Sequence, residues 1–133
     1  MPEIVVLATP SAAGTSLFGV AEFFAAANRI IANTKQPQPL FNITLCSLGG
    51  EAISGSEGIT ISAEKAARDI PKADLLYIAP PSVSSRHELT LQTGQWQEIV
   101  AWLESEHERF ETIASHCSGS FLLAQAGLLA GGC

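Results

Sequence analysis

The alternation of short apolar runs with helical patterns is the feature of this sequence that most restricts its fold. Residues 3–8 (EIVVLA) form a continuously apolar, β-branched run that ends at Pro10, which is typical of a strand buried on both faces. Residues 73–79 (ADLLYIA) repeat this character and stop at Pro80. Strands buried on both faces belong to parallel sheets, and a parallel sheet needs helices on both sides.

Helical patterns separate these runs. After the break at residues 14–16, where Thr15 or Ser16 could supply a capping hydroxyl, a helix is predicted up to the loop at 35–39. Its apolar residues recur at three- and four-residue steps: Leu17, Val20, Phe24, Ala27 and Ile31. A second helix places Trp96, Ile99, Val100 and Leu103 on one face. A third, at 121–129, is apolar almost all round and is predicted to be buried.

The remaining segments complete the pattern. Residues 41–48 alternate as a strand does, residues 52–62 carry two short β-like pieces around glycines, and residues 112–115 form a short strand. The 133 residues are the size of one domain. The sequence therefore predicts a single α/β domain with a mainly parallel sheet between two helix layers.

Charge and cysteine content narrow the function classes. Thirteen acidic residues against seven basic ones give a net charge of −6, so this segment is poorly suited to grip a nucleic-acid backbone. Three widely spaced cysteines, without histidine pairs, fit neither a disulfide framework nor a zinc site, so we expect a reducing cytoplasm and no metal or cofactor. No basic leader or bilayer-length apolar run occurs, so no membrane contact is expected.

Sites in such sheets form at the carboxyl ends of the strands, which here are followed by loops 9–15, 79–86 and 116–120. In the last of these, Cys117 lies between a short strand and a helix, with Gly119 allowing a sharp turn. The positive end of the helix dipole lowers the pKa of a thiol that faces it, which favours the nucleophilic thiolate form. The alternative is a cysteine that packs as a small apolar residue.

Glu22 is the only charged residue between Ile4 and Asn28. It points to solvent from the outer helix face, or it is held inside, where a carboxyl group can share a proton with a ligand or a thiol. The residues themselves leave both alternatives open.

Two stretches resemble a known family. FGVAEFF at 18–24 with AANR at 26–29 is similar to an "aGPxExFxxAN" stretch, and SHCSGSFLLAQAGLLAGG at 115–132 is similar to a "CtGaxxLAxAGLLdG" stretch. Both stretches belong to the DJ-1/PfpI-like amino-terminal domain of AraC-type (GlxA-like) transcriptional regulators. The resemblance implies a flavodoxin-like, class I glutamine amidotransferase-like three-layer sandwich.

The resemblance also implies a site. Cys117 takes the nucleophile-elbow position, Glu22 matches the acidic residue that approaches it, and the candidate ligand-binding residues are Cys117, Glu22, Ser118 and Pro81. Where the family commonly has a Gly-Gly pair, this chain has Pro80-Pro81, and proline offers no N–H to an oxyanion. A binding pocket is therefore favoured over catalysis, with Cys117 as the nucleophile if the protein is an enzyme.

The predicted function is that of a sensory module. It binds a small-molecule effector, forms a homodimer and acts on DNA only through a helix-turn-helix domain expected downstream, because the sequence resembles a domain cut near its carboxyl end. The alternative is a stand-alone DJ-1/PfpI-type cysteine enzyme or stress protein. A third interpretation is an interaction module without a pocket.

Overall fold

The computed structural model describes residues 2–35, 40–80 and 94–129. Its centre is a five-stranded parallel sheet in the order β5-β2-β1-β6-β7. The strands are β1 Glu3–Leu7, β2 Asn42–Ser47, β5 Lys65–Ala66, β6 Ala73–Ile78 and β7 Phe110–Ser115. A separate antiparallel hairpin pairs β3 Ile53–Ser54 with β4 Thr60–Ile61.

Helices cover both faces of the sheet. Helix α1 spans Gly14–Ala32 and packs with the hairpin on one face. Helices α2 (Gly94–Glu106) and α3 (Ser120–Gln125) pack on the other. No helix in the described ranges combines the length and apolarity that crossing a bilayer requires. The arrangement confirms the predicted α/β three-layer sandwich with a mainly parallel sheet.

Strand β1 lies in the middle of this sheet and separates two apolar cores. Val5 and Leu7 face the core under α2 and α3, whereas Ile4 and Val6 face the core under α1. All four are at most 3% exposed, as expected for a central parallel strand. The continuous apolar run at the start of the chain therefore reflects burial on both faces.

The amino terminus of α1 differs from the expectation. Neither Thr15 nor Ser16 caps the helix: the cap position is Ala13, which makes no side-chain cap bond. The Ala13 N–H instead donates to the Pro80 carbonyl at 3.0 Å. The start of α1 is thus fixed by the end of β6, a tertiary contact that no local signal carries.

The helix predicted at 121–129 is shorter and less buried than expected. Helix α3 ends at Gln125, and Gly127 adopts φ 78°, with the Leu128 N–H donating to the Leu123 carbonyl at 3.0 Å. This glycine-terminated end is a Schellman motif, which stops the helix. Leu122 and Leu123 are buried, but Phe121 is 52% exposed, so the prediction of burial all round is wrong.

Candidate functional site

Cys117 lies on the turn that joins β7 to α3, as the sequence predicted. It adopts φ 54°, a left-handed conformation that costs an L-residue about 1–2 kcal/mol, and its side chain is exposed. Two hydrogen bonds hold this turn: the Gly119 N–H donates to the His116 carbonyl at 3.1 Å, and the Ser115 and Ser120 hydroxyls lie 2.9 Å apart. A strained residue held by its neighbours presents its thiol at the carboxyl edge of the sheet.

Gly119 permits the turn to pack against the end of β6. A Cβ at this position would lie 3.2 Å from the Ile78 carbonyl oxygen and 3.6 Å from the Cα of Pro80. Both neighbours are backbone atoms, so they have little freedom to move aside. Glycine is therefore required here because the two backbone segments lie so close together. This close approach places the turn of Cys117 next to Pro80.

Hydrogen bonds also join the segment around Pro80 to the loop that follows β1. The buried Thr9 hydroxyl donates to the Ala79 carbonyl at 2.7 Å, and the Pro80 carbonyl accepts the Ala13 N–H. Pro80 has no backbone N–H, so it cannot donate to an oxyanion formed beside the Cys117 turn. At Pro80, the departure from the family pattern noted in the sequence thus lies next to the turn that carries Cys117.

The other candidate residues are placed less fully. Glu22 is exposed in the third turn of α1, so of the two alternatives the structure shows the one in which it faces solvent. Pro81 lies outside the described residues, and Ser118 lies outside the described side chains. His116 precedes Cys117 and is exposed, with its carbonyl engaged in the turn.

A cavity at the same edge was missed by the sequence analysis. Its volume is about 390 Å³ and it lies over the β2–β1 half of the sheet, whereas Cys117 follows β7. Among the described residues, its two charged lining side chains are Glu51 and Glu98. It is lined by Ala8, Pro10, Ser11, Leu48, Glu51, Ala52, Ile53, Ser54, Glu98 and Ile99.

The lining of this cavity depends on how the β3–β4 hairpin docks. Ser11 adopts φ 61° and its N–H donates to the Ser54 carbonyl at 3.0 Å, and Gly55 lies so close to Ile61 and Ala12 that a Cβ would collide with them. Pro10 and the two short β-like pieces at 52–62 were visible in the sequence, but their convergence on one space was not. Only the docked hairpin brings these segments around one space.

The two cysteines in the described residues have opposite environments. Cys46 on β2 is fully buried, and burial, with a smaller contribution from the Glu64 carboxylate, raises the pKa of its thiol to about 12. Cys117 is exposed. Of the two described cysteines, Cys117 is therefore the one whose thiol a reagent or ligand can reach.

Comparisons with known proteins agree with this architecture. No family model and no curated protein sequence matches the chain. Solved structures do match. A protein from Vibrio parahaemolyticus assigned as a transcriptional regulator aligns with a TM-score of 0.72 at 18% identity, over 98% of this chain and 64% of that one. A ThiJ/PfpI family protein from Pseudomonas syringae aligns with a TM-score of 0.71 at 19% identity, over 98% of this chain and 48% of that one.

The chain has the DJ-1/PfpI fold. An AraC family transcriptional regulator from Pseudomonas putida also shares it, with a TM-score of 0.63 at 18% identity, over 98% of this chain and 73% of that one. The neighbours thus include both DJ-1/PfpI proteins and transcriptional regulators, as the resemblance in the sequence predicted. This chain spans 64% and 48% of the lengths of the V. parahaemolyticus and P. syringae proteins.

Proposed function

We propose that this chain is the ligand-sensing and dimerisation domain of an AraC-type transcriptional regulator, which binds a small metabolite near Cys117 and Glu22. Such a regulator acts in the cytoplasm as a homodimer, and a helix-turn-helix domain outside these residues contacts DNA. The net charge of −6 agrees with a separate DNA-binding part, because an acidic surface repels the phosphate backbone.

The observation that carries the proposal is the frame around Cys117. Cys117 is exposed and adopts φ 54° on a turn that requires Gly119. This turn lies at the edge of the sheet where parallel α/β proteins bind their ligands. Pro80 beside that turn lacks the N–H that acyl chemistry uses. A thiol in a fixed turn that lacks a backbone donor at Pro80 supports binding more than it supports turnover.

A thermal-shift screen tests this proposal. Amines and amino acids are titrated onto the wild-type chain and the Cys117→Ala, Glu22→Gln and Glu104→Gln variants, the last being a matched control because Glu104 is exposed on α2. A compound at about 100 times its Kd stabilises a binding-competent fold by about 2.7 kcal/mol, which raises Tm by several degrees.

The shift should disappear in Cys117→Ala, weaken in Glu22→Gln and persist in Glu104→Gln. If no compound moves the Tm of the wild type, sensing through this edge is contradicted. A shift that survives in Cys117→Ala would relocate the site to another part of the molecule.

The second candidate function is a DJ-1/PfpI-type cysteine enzyme. The exposed thiol in a left-handed conformation is the observation that favours it, since strained residues concentrate at catalytic sites. It predicts turnover of a dicarbonyl or similar electrophile, abolished by Cys117→Ser. If Cys117 is alkylated no faster than a small model thiol at the same pH, the enzyme hypothesis fails.

A further inference from the structure

The cavity over the β2–β1 half of the sheet has no part in the proposed function. Its volume of about 390 Å³ lies near the lower end of the range for ligand pockets in proteins, about 300–1,000 Å³. Neither Cys117 nor Glu22 is among the described residues that line it, and β7, which leads to Cys117, is two strands away from β1. The cavity is therefore a space of its own, large enough for a small molecule.

Four buried apolar residues form part of its lining, and each comes from a different segment. Ala8 follows β1, Leu48 follows β2, Ile53 belongs to β3 and Ile99 belongs to α2. All four are less than 9% exposed. Apolar surface of this kind favours contact with a short hydrocarbon chain, because that contact removes water from both.

The charged part of the lining has one sign. Glu51 and Glu98 are both exposed, and the described lining contains no lysine, arginine or histidine. Neither carboxylate forms an ion pair with another described residue. The net charge of −6 adds to the negative potential around them. The cavity therefore favours a cation over an anion of the same shape.

The segments that carry this lining are fixed by their own contacts. The buried Ser47 hydroxyl donates to the Glu51 carbonyl at 2.6 Å, and a Cβ at Gly49 would lie 2.5 Å from Oε2 of Glu51. The Glu51 carboxylate thus lies over Gly49, in space that a larger residue would occupy. On another wall, the Ser11 N–H donates to the Ser54 carbonyl at 3.0 Å. A lining already in place reduces the ordering that a ligand must impose.

We propose that this cavity is a second ligand site, which binds a small organic cation consisting of an ammonium group on a short aliphatic chain. The ammonium group lies between the carboxylates of Glu51 and Glu98, and the methylene groups contact the buried apolar lining. This site goes beyond the proposed function, since it uses neither Cys117 nor Glu22.

Three probes of equal chain length test the charge preference. Pentylamine, 1-pentanol and pentanoate share a five-carbon chain and carry a positive, a neutral and a negative group at neutral pH. Each is titrated onto the ¹⁵N-labelled chain, and two-dimensional NMR follows the backbone amides. Pentylamine should shift the amide signals of Ser11, Ile53 and Ile99 saturably, and the other two probes should bind at least about tenfold more weakly.

Two isosteric substitutions test the carboxylates. Glu51→Gln and Glu98→Gln each remove one charge from an exposed position, so each is expected to raise the Kd of pentylamine about threefold, and the double variant about tenfold. Glu104→Gln is the matched control, because Glu104 is exposed on the same helix as Glu98 but does not line the cavity. The Kd of pentylamine should be unchanged in this variant.

A further variant blocks the cavity without changing its charge. Ala52 is exposed and lines the cavity, so the ring introduced by Ala52→Phe competes with the ligand for space. This variant is expected to raise the Kd of pentylamine at least about fivefold. Circular dichroism melts show which variants fold, and the blocking variant keeps the test decisive if a charge variant does not.

The outcomes distinguish this site from sensing at Cys117. The inference is overturned if pentylamine gives no saturable shift up to about 50 mM, if the three probes bind equally, or if the double variant binds as the wild type does. Shifts confined to the Cys117 turn, or lost in Cys117→Ala, would overturn it as well. If the cavity signals shift equally in Cys117→Ala while no compound depends on Cys117, this site stands and the proposed sensing near Cys117 fails.

Discussion

The turn at Cys117 and the outer face of α1 are both exposed, but the chain supports them in different ways. Around Cys117, backbone and hydroxyl groups of the turn are paired with each other, and Gly119 packs directly against β6. On the outer face of α1, Phe23 and Ile30 project with more than two thirds of their surface in water. A single exposed group in a rigid frame suits a small molecule, whereas a broad apolar strip suits another protein surface.

The largest expected effect is a difference in alkylation rate between the two described cysteines, one on the turn and one in the core. With its pKa raised to about 12, Cys46 carries about a thousandfold less thiolate at pH 8 than an unfolded cysteine with a pKa of 9.0, and it is also buried. Iodoacetamide labelling followed by peptide mass spectrometry should modify Cys117 in the native protein and Cys46 only after denaturation. Labelling of Cys46 at a rate near that of Cys117 would show that the core opens.

The inner and outer faces of α1 should respond differently to truncation. Leu17 is fully buried, so Leu17→Ala removes packed volume and should lower the free energy of unfolding by about 2–5 kcal/mol. Ile30→Ala, on the same helix, should change it by no more than about 0.5 kcal/mol. Urea unfolding at a concentration where the chain is monomeric measures both. An equal loss in the two variants would contradict the assignment of faces.

The buried thiol predicts a loss of stability at alkaline pH. Because folding raises the pKa of Cys46 from 9.0 to about 12, its contribution to stability is fully present below pH 9 and is lost as the pH rises from 9 to 12. The slope is about 1.4 kcal/mol per pH unit in that window.

Cys46→Ala removes this slope and leaves every other titrating group in place, so it serves as the control. Urea unfolding at several pH values from 8 to 11 should therefore show a shallower decline for the variant. Parallel declines would mean that the thiol does not ionise with unfolding.

Two glycines offer the smallest and most closely matched test. Gly119→Ala places a Cβ 3.2 Å from the Ile78 carbonyl and should destabilise the fold by about 1–3 kcal/mol. Gly19→Ala, in open space on the outer face of α1, should instead stabilise the monomer by about 0.5–1 kcal/mol through its helix propensity. If both substitutions changed the free energy of unfolding in the same direction, the contrast between the two regions would be lost.

Much of the fold was predictable because strand burial and helix periodicity leave local traces. The run at 3–8 became β1, the strand and hairpin at 41–62 appeared in place, and Trp96, Ile99, Val100 and Leu103 are all buried, as their spacing predicted. Strand β7 begins at Phe110, two residues before the predicted start, because Phe110 pairs with Ala73 of β6; its ring also packs against Trp102, with ring centroids 5.7 Å apart. Such boundaries depend on contacts that are distant in sequence.

The site was less predictable. The position of Cys117 followed from the strand, glycine and helix around it, but its left-handed conformation and the approach of Pro80 required the folded chain. The cavity beside β1 and β2 has no local signature, since its walls come from two loops, strand β3 of the hairpin and helix α2. Residues far apart in sequence form such a space only when the sheet places their loops at one edge.

The sequence alone determined the layered α/β architecture and the turn that carries Cys117, because periodicity and glycine placement act over a few neighbouring residues. Tertiary structure decided which apolar residues of α1 face water. Phe23 and Phe24 are adjacent and chemically identical, and only the direction from which the sheet approaches partly buries Phe24 against Phe41 and leaves Phe23 exposed. The exposed apolar side chains on the outer face of α1 are therefore a consequence of packing, which the composition of the helix could not reveal.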